Sequence, residues 1–219
     1  MAPAAPQPQA PDTKTRILDA AARLFHEQGF NATGVSTILR EASVNPGSLY
    51  NLFPSKDALL GAVLERYTEL LYPVVMKPVE DKTADPIDRV FALLQQYRDW
   101  FAPLDFRLGC PIGNLALEVA DSHPEIRPLI QQNFDGWSAF VEKWLTEAGD
   151  RLPQLLDRKQ LAATVLTVME GGLMQARSSR SAMAYDASVA QLRTYFDLLL
   201  SQAQSEGGSG ERASRSSGV

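Results

Sequence analysis

The chain is poor in the residues that build metal sites and covalent cross-links. It has a single cysteine, Cys110, and two histidines, His26 and His123, in 219 residues. One cysteine excludes an internal disulfide and a cysteine zinc cluster, and it fits a reducing compartment. These three residues show no metal-ligand spacing, so no metal and no cofactor are expected. No apolar run reaches the roughly 18 residues that span a bilayer, and Met1 to Pro11 has neither the positive start nor the apolar middle of a secretory leader. A cytoplasmic protein with no membrane partner is therefore expected. Positive charge is not in excess either: 21 Lys and Arg face 26 Asp and Glu, a formal net charge of -5. Any nucleic-acid binding must be local rather than a bulk attraction. No alternating run marks a strand, and no internal repeat is visible. A glycine-rich phosphate loop is missing, as is a third group to orient a cysteine and histidine pair, so the chain is not expected to be an enzyme.

What remains is helical periodicity between two polar ends. Residues 1–11 are almost all Ala, Pro and Gln, and 205–219 are dominated by Gly, Ser, Arg and Glu; both compositions predict disordered tails. Between them the fold class is all-α, with about nine helices. Ile17, Ala20, Ala21, Leu24 and Phe25 form one apolar stripe on a first helix that Gly29 ends. Val35, Ile38, Leu39 and Ala42 give a short second helix, with Thr33 as its expected cap. After a tight turn at Ser43 and Val44, Asn45 and Pro46 open a third helix to about Phe53, with Leu49 and Phe53 pointing inward. Ser55 caps a long fourth helix, the linker, which Pro73 or Pro78 ends or kinks. Further helices are expected at about 86–102, 112–121, 124–148, 158–178 and 186–203. The spans divide into a helix-turn-helix unit over 12–57, with the linker helix from about 56, and a larger helical unit over 58–204.

Two short helices joined by a tight turn and packed on a preceding helix are the arrangement that sends the second one into a DNA major groove, although any small helical bundle can contain such a pair. The residues themselves go further. Arg16-Ile17-Leu18-Asp19-Ala20-Ala21, Leu24-Phe25, Gly29-Phe30, Ala32-Thr33, Ile38, Ala42, Val44, Gly47-Ser48-Leu49-Tyr50 and Phe53-Pro54-Ser55-Lys56-Asp57-Ala58-Leu59 closely resemble the DNA-binding domain of the tetracycline-repressor family over about residues 13–66. The resemblance implies a transcriptional repressor that binds double-stranded operator DNA as a homodimer and leaves it when a small-molecule effector binds. It also implies phosphate contacts by Tyr50 and Lys56, a phenol donor and a flexible point charge. Thr33 is expected to donate to a phosphate, and Ser36, Thr37, Asn45, Gly47, Ser48 and Asn51 to lie at base edges or the adjacent backbone. Asn51 suits direct readout, because an amide can bind adenine through two bonds. The chain departs from the family pattern at Ser43, where glycine is usual, and near Pro46, where lysine is frequent. Charges over 12–57 cancel.

Beyond residue 66 the sequence offers an aromatic-rich helical region containing Tyr97, Trp100, Phe101, Phe106, Trp137, Phe140 and Trp144. Helical spacing makes most of these core residues. Glu118, Glu170 and Arg177 fall on apolar helices, where a charge needs a partner, so they are candidates for a pocket or a dimer seam. The segment Gly109-Cys110-Pro111-Ile112-Gly113-Asn114-Leu115-Ala116-Leu117-Glu118, with Glu170-Gly171-Gly172-Leu173-Met174-Gln175-Ala176-Arg177, resembles the LmrA/YxaF-like branch of the family and its electrophile-sensing relatives. The ligand or sensor candidates are thus Trp100, Phe101, Cys110, Asn114, Glu118, Trp137, Glu170, Met174 and Arg177. Cys110 precedes a helix start, and Arg107 lies three residues before it, two features that favour a thiolate able to react with an electrophile; the competing reading is a buried, inert thiol. The apolar faces Leu161, Val165, Val168, Gly172 and Val189, Leu192, Phe196, Leu199 are expected to form a two-fold four-helix dimer seam.

Overall fold

The computed structural model describes residues 12–216, with side chains through Glu206. Ten α-helical segments account for most of it, and no strand occurs among the described residues. The first three are α1 (Thr13–Gln28), α2 (Val35–Ala42) and α3 (Pro46–Leu52). Asp12 caps α1 by accepting from the Thr15 N–H at 2.7 Å, and Asn45 caps α3 by accepting from the Ser48 N–H at 2.9 Å. Each bond satisfies an amide that the first helical turn leaves unpaired. Before α2 the capping position belongs to Gly34, which provides no side-chain bond, and not to Thr33.

Ser55 starts α4 (Lys56–Leu70) by accepting from the Ala58 N–H at 3.0 Å. Neither proline ends this helix. The backbone widens into a π-helical segment, Leu71–Met76, and runs on into α5 (Lys77–Lys82). Pro73 has no N–H to donate, and the wider turn accommodates its ring where an α-helical turn would clash. Counting this rod once gives nine helices among the described residues, as expected. The rest are α6 (Pro86–Phe101), α7 (Pro111–Val119), α8 (Arg127–Glu147), α9 (Arg158–Ser179) and α10 (Met183–Ser216). The expected tail at 1–11 lies outside the described residues. The expected tail from 205 is helical backbone as far as Ser216, an extension of α10; adding residues to a helix already anchored by packing avoids the cost of a new nucleus.

Two apolar cores organise the chain. One joins Ile17, Leu24, Phe25, Ile38, Leu49 and Phe53 of the first three helices and their margins to Leu59, Leu60, Val63 and Leu64 of α4. It also takes in Leu115 and Val119 of α7 and Ile126 and Ile130 around the start of α8. The other is built by α5, α6 and α8–α10 around Phe91, Trp144 and Phe196. The helix-turn-helix unit therefore does not close its core alone, and a division of labour at residues 57 and 58 is a proposal about function rather than a gap in packing.

The faces of α9 and α10 differ from expectation. Leu161, Val165, Leu192, Phe196 and Leu199 are at most 7% exposed, and Gly172 packs on Tyr185 inside the chain. Outward, α9 presents Thr167, Gly171 and Met174, while α10 presents Tyr195 and Leu198. The apolar periodicity finds the core-facing stripe of each helix; a seam between copies would use the opposite stripe.

Candidate nucleic-acid interface and effector cavity

Helix α3 is pinned by Leu49, fully buried, and by Phe53 just beyond its end, 4% exposed. With those two inward, the rest of its surface faces out. Tyr50 is 52% exposed, Asn45, Gly47 and Asn51 are exposed, and Ser48 is half-buried. At the start of α2, Ser36 is exposed and Thr37 half-buried. Asn45 is partly committed, because its Oδ1 also accepts from the Ser48 hydroxyl at 3.1 Å. Tyr50, Asn51, Ser36 and Gly47 are free to meet a duplex.

Two expected phosphate ligands stand differently. Thr33 is 1% exposed, and its hydroxyl donates to the Gly29 carbonyl at 2.6 Å and toward the Leu24 carbonyl at 3.3 Å. It fastens the α1–α2 turn instead of reaching a phosphate; a short hydroxyl at this turn finds backbone acceptors before it finds solvent. Lys56 is half-buried, with its ammonium 4.1 Å from the Phe30 ring centroid. Partial burial lowers its pKa, while Glu118 and Asp57 oppose that effect. The turn before α3 carries the departure noted at Ser43: its φ is 53° and its ψ 50°, a left-handed conformation that disfavours a Cβ.

Behind this surface, the larger core encloses a cavity of about 330 Å³. Trp100, Phe101, Cys110, Trp137 and Glu170, all expected sensor residues, line it together. Cys110 and Glu170 also face an adjoining groove of about 520 Å³, which gathers Asn114, Met174 and Arg177. Of the expected set only Glu118 lines neither. The cavity wall also includes His26, Tyr67, Tyr97, Asn133 and Met169. Asn133 stands four residues before Trp137 on α8, one turn away on the same face, and that spacing is the signal that reaches it. His26 comes from the first helix, and no local signal links it to this region.

The wall is already tightly bonded. Trp137 Nε1 donates to the Tyr97 hydroxyl at 3.2 Å, and Asn133 Nδ2 donates to the Leu64 and Leu129 carbonyls at 3.1 and 2.9 Å. His26 Nε2 lies 2.7 Å from the Gly109 carbonyl oxygen, and burial lowers its pKa, which favours the neutral ring. Desolvation drives the Tyr67 phenol up to about 12. Arg177 donates to Asn114 Oδ1, and Asn114 in turn donates to the Leu108 carbonyl.

Cys110 caps α7, its sulfur accepting from the Gly113 N–H at 3.5 Å. The two features expected to favour a thiolate are outweighed. Burial, and next the Glu170 carboxyl beside it, push the thiol well above its ordinary pKa, while the α7 amides oppose this. Arg107 is exposed, with its guanidinium directed to the Leu104 carbonyl at 3.4 Å. Desolvation of a small buried anion outweighs a partial helix charge here. Glu170 is itself raised by burial, and its Oε1 is fully enclosed with no hydrogen-bond partner. Its Oε2 lies so close to α7 that a Cβ on Gly113 would collide with it.

Glu118, at the other end of α7, has a different role. Its two oxygens accept from the Phe30 and Asn31 N–H groups at 2.8 and 2.7 Å. The carboxylate thereby grips the turn between α1 and α2. Gly29 makes the grip possible: its φ is +86°, and a Cβ there would stand 3.0 Å from Glu118 Oε2. Phe30 is further held by an edge contact with His123. Helix α7 thus has one end in the cavity wall and the other on the helix-turn-helix unit.

Comparison with known proteins agrees with both halves of this arrangement. Residues 17–63 match the family described as "Bacterial regulatory proteins, tetR family", and residues 86–192 match "Tetracyclin repressor-like, C-terminal domain". YxaF of Bacillus subtilis, an uncharacterized HTH-type transcriptional regulator, is 29% identical, covering 74% of this chain and 84% of its own. LmrA of the same organism, an HTH-type transcriptional regulator, is 28% identical over 78% of this chain and 89% of its own. The structure of reduced NemR from Escherichia coli superposes with a TM-score of 0.75 at 26% identity, covering 84% of this chain and 96% of that one.

Proposed function

Because the chain belongs to the tetR family of bacterial regulatory proteins, we propose that it is a transcriptional repressor that binds a roughly palindromic operator as a homodimer and is released by a small-molecule effector. The observation that carries this reading is α7, which joins the aromatic cavity to the reading unit through the Glu118 clamp on Phe30 and Asn31. Nine residues of helix span about 13 Å as a nearly rigid rod. An effector that fills the cavity displaces the first turn of α7, and the clamp carries that displacement to α1 and α2. Recognition helices shifted in this way no longer match two successive major-groove faces, and the population moves to dimers that do not fit the operator. Effector and DNA then weaken each other reciprocally.

In the complex, Tyr50 supplies phosphate contacts and Asn51 base readout, with Ser36, Thr37, Asn45, Gly47 and Ser48 at the groove edge. Lys56 leaves the Phe30 ring to reach a phosphate. Two copies meet through the outward stripes of α9 and α10, around Gly171, Met174, Tyr195 and Leu198. The test is retention of the DNA upstream of the chain's own gene, with the wild type and with Tyr50→Ala. Specific retention by the wild type and its loss in the variant support the reading. Equal retention of unrelated DNA, or sedimentation as a monomer at micromolar concentration, contradicts it.

Covalent sensing is the second reading, favoured by one observation: Cys110 faces both the cavity and the groove. Its protonated, buried state weighs against it. If an electrophile releases the DNA through Cys110, Cys110→Ser abolishes release and spares operator affinity; equal release by the variant excludes that route.

A further inference from the structure

The cavity is rich in aromatic faces and holds one carboxyl with no cationic side chain opposite it. Among the described residues lining it there is no lysine or arginine, and the one histidine is bonded to a backbone carbonyl. The indole of Trp137 and the amide of Asn133 are spent on partners within the wall. The remaining donors, the Tyr67 and Tyr97 phenols, the Trp100 indole and the Cys110 thiol, are all neutral. Glu170 stands opposite in character: one carboxyl oxygen is buried with no partner. Such a group is costly to leave unpaired, and it takes up a proton or finds a donor.

Resting on the reading of this cavity as the effector site, we propose that its ligand is an arylalkyl amine, an aromatic ring carrying an alkylammonium, whose ammonium pairs with Glu170. The ligand's ring lies among Tyr97, Trp100, Phe101 and Trp137, whose faces also attract a cation. Glu170 reaches it by turning about its last side-chain bond, a soft torsion. Entry runs past Leu70, Val74 and Trp100, exposed by 37%, 49% and 41% at the rim. An anion meets no countercharge here, and a neutral ligand leaves the carboxyl without one, offering it at most a hydrogen bond like that of the Cys110 thiol.

Other ionisable groups around Glu170 do not supply the missing charge. Cys110 of the α7 cap, Tyr97 of α6 and Tyr185 of α10 all have raised pKa values, and His26 of α1 a lowered one. Each is thus held in its neutral form. Arg177 of α9 is engaged with Asn114 in the groove. An ammonium therefore favours the ionised carboxylate, and amine affinity falls as acidification protonates Glu170, whose pKa burial raises.

The experiment is calorimetric titration of the full chain with three matched probes: 2-(2-naphthyl)ethylamine, 2-(2-naphthyl)ethanol and the 2-naphthaleneacetate anion. At pH 8 the amine binds at least about tenfold more tightly than the alcohol, and the acetate least. Glu170→Gln brings amine and alcohol within about twofold of each other, and the wild-type preference for amine shrinks from pH 8 to pH 5. An alcohol or acetate that binds the wild type as tightly as the amine overturns the proposal, as does a preference that is unchanged by pH. The pH series needs no variant, so a poorly folding Glu170→Gln leaves the test intact. Leu71→Trp, which fills the cavity, separates the two levels. Binding abolished by it but indifferent to charge overturns only the ligand class, whereas binding unaffected by it overturns the site as well, as does the absence of binding by all three probes.

Discussion

Removing the Glu118 carboxylate should weaken the chain and disconnect its two ends. The carboxylate accepts two backbone N–H bonds, at 2.8 Å from Phe30 and 2.7 Å from Asn31. Hydrogen bonds to a charged group are worth about 1.5–3 kcal/mol each when well buried. Glu118 is half-buried and Asn31 exposed, so water recovers part of the loss and each bond falls to about 1 kcal/mol: about 2 kcal/mol for Glu118→Ala and about 1 kcal/mol for Glu118→Gln, which keeps one acceptor oxygen. Urea unfolding measures this, because the core shared by α1–α4, α7 and α8 makes both parts unfold together. Amide exchange at Phe30 and Asn31 should speed up in both variants. Operator affinity measured by fluorescence anisotropy should change little in Glu118→Gln, while release by a cavity ligand becomes markedly less effective. A variant with wild-type stability, unchanged exchange at those two amides and full ligand response would refute the lever.

Four further outcomes follow. Tyr50→Ala should weaken operator binding about tenfold with stability nearly unchanged, since a half-exposed phenol contributes to a phosphate contact and little to the core; anisotropy and urea melts read the two separately. Lys56→Ala should make the salt dependence of operator affinity shallower by about one phosphate contact, and an unchanged slope would confine Lys56 to its contact with Phe30. Ser43→Gly should raise stability by up to about 1 kcal/mol by relieving a left-handed residue, and no gain in urea would mean that the turn carries no strain. Glu170→Gln should be more stable than the wild type near pH 8. A carboxyl whose folded pKa is raised contributes stability at pH values below its unfolded pKa and loses that contribution as pH rises through the folded one, so the variant's advantage should fade on acidification.

The parts of the fold legible in the sequence are those with local, periodic causes. The stripe on α1, the inward pair Leu49 and Phe53, and the caps Asn45 and Ser55 all read correctly because their partners lie within a few residues. Periodicity also finds the buried faces of α9 and α10, but it cannot tell the chain's own core from a seam with a second copy. The run through Pro73 is continuous because a wider turn accommodates the ring, something composition does not encode. Sites depend on contacts remote in sequence. His26 meets Gly109 across 83 residues, and Phe30 meets Glu118 across 88. A charge on an apolar helix signals that Glu118 needs a partner, and nothing local signals that the partner is backbone. Thr33 follows the same rule, because its alignment with phosphate-contacting positions does not show that its hydroxyl is already bonded within the turn.

If α3 enters the major groove, it covers guanine N7, which lies in that groove and can be probed by chemical protection. Two protected patches about one helical turn apart should appear on the upstream DNA, with Asn51→Ala losing discrimination at a single base pair in each patch. Protection confined to the minor groove would contradict that placement of α3, and binding to operators altered at single base pairs that is equally discriminating in Asn51→Ala and the wild type would contradict the role of Asn51.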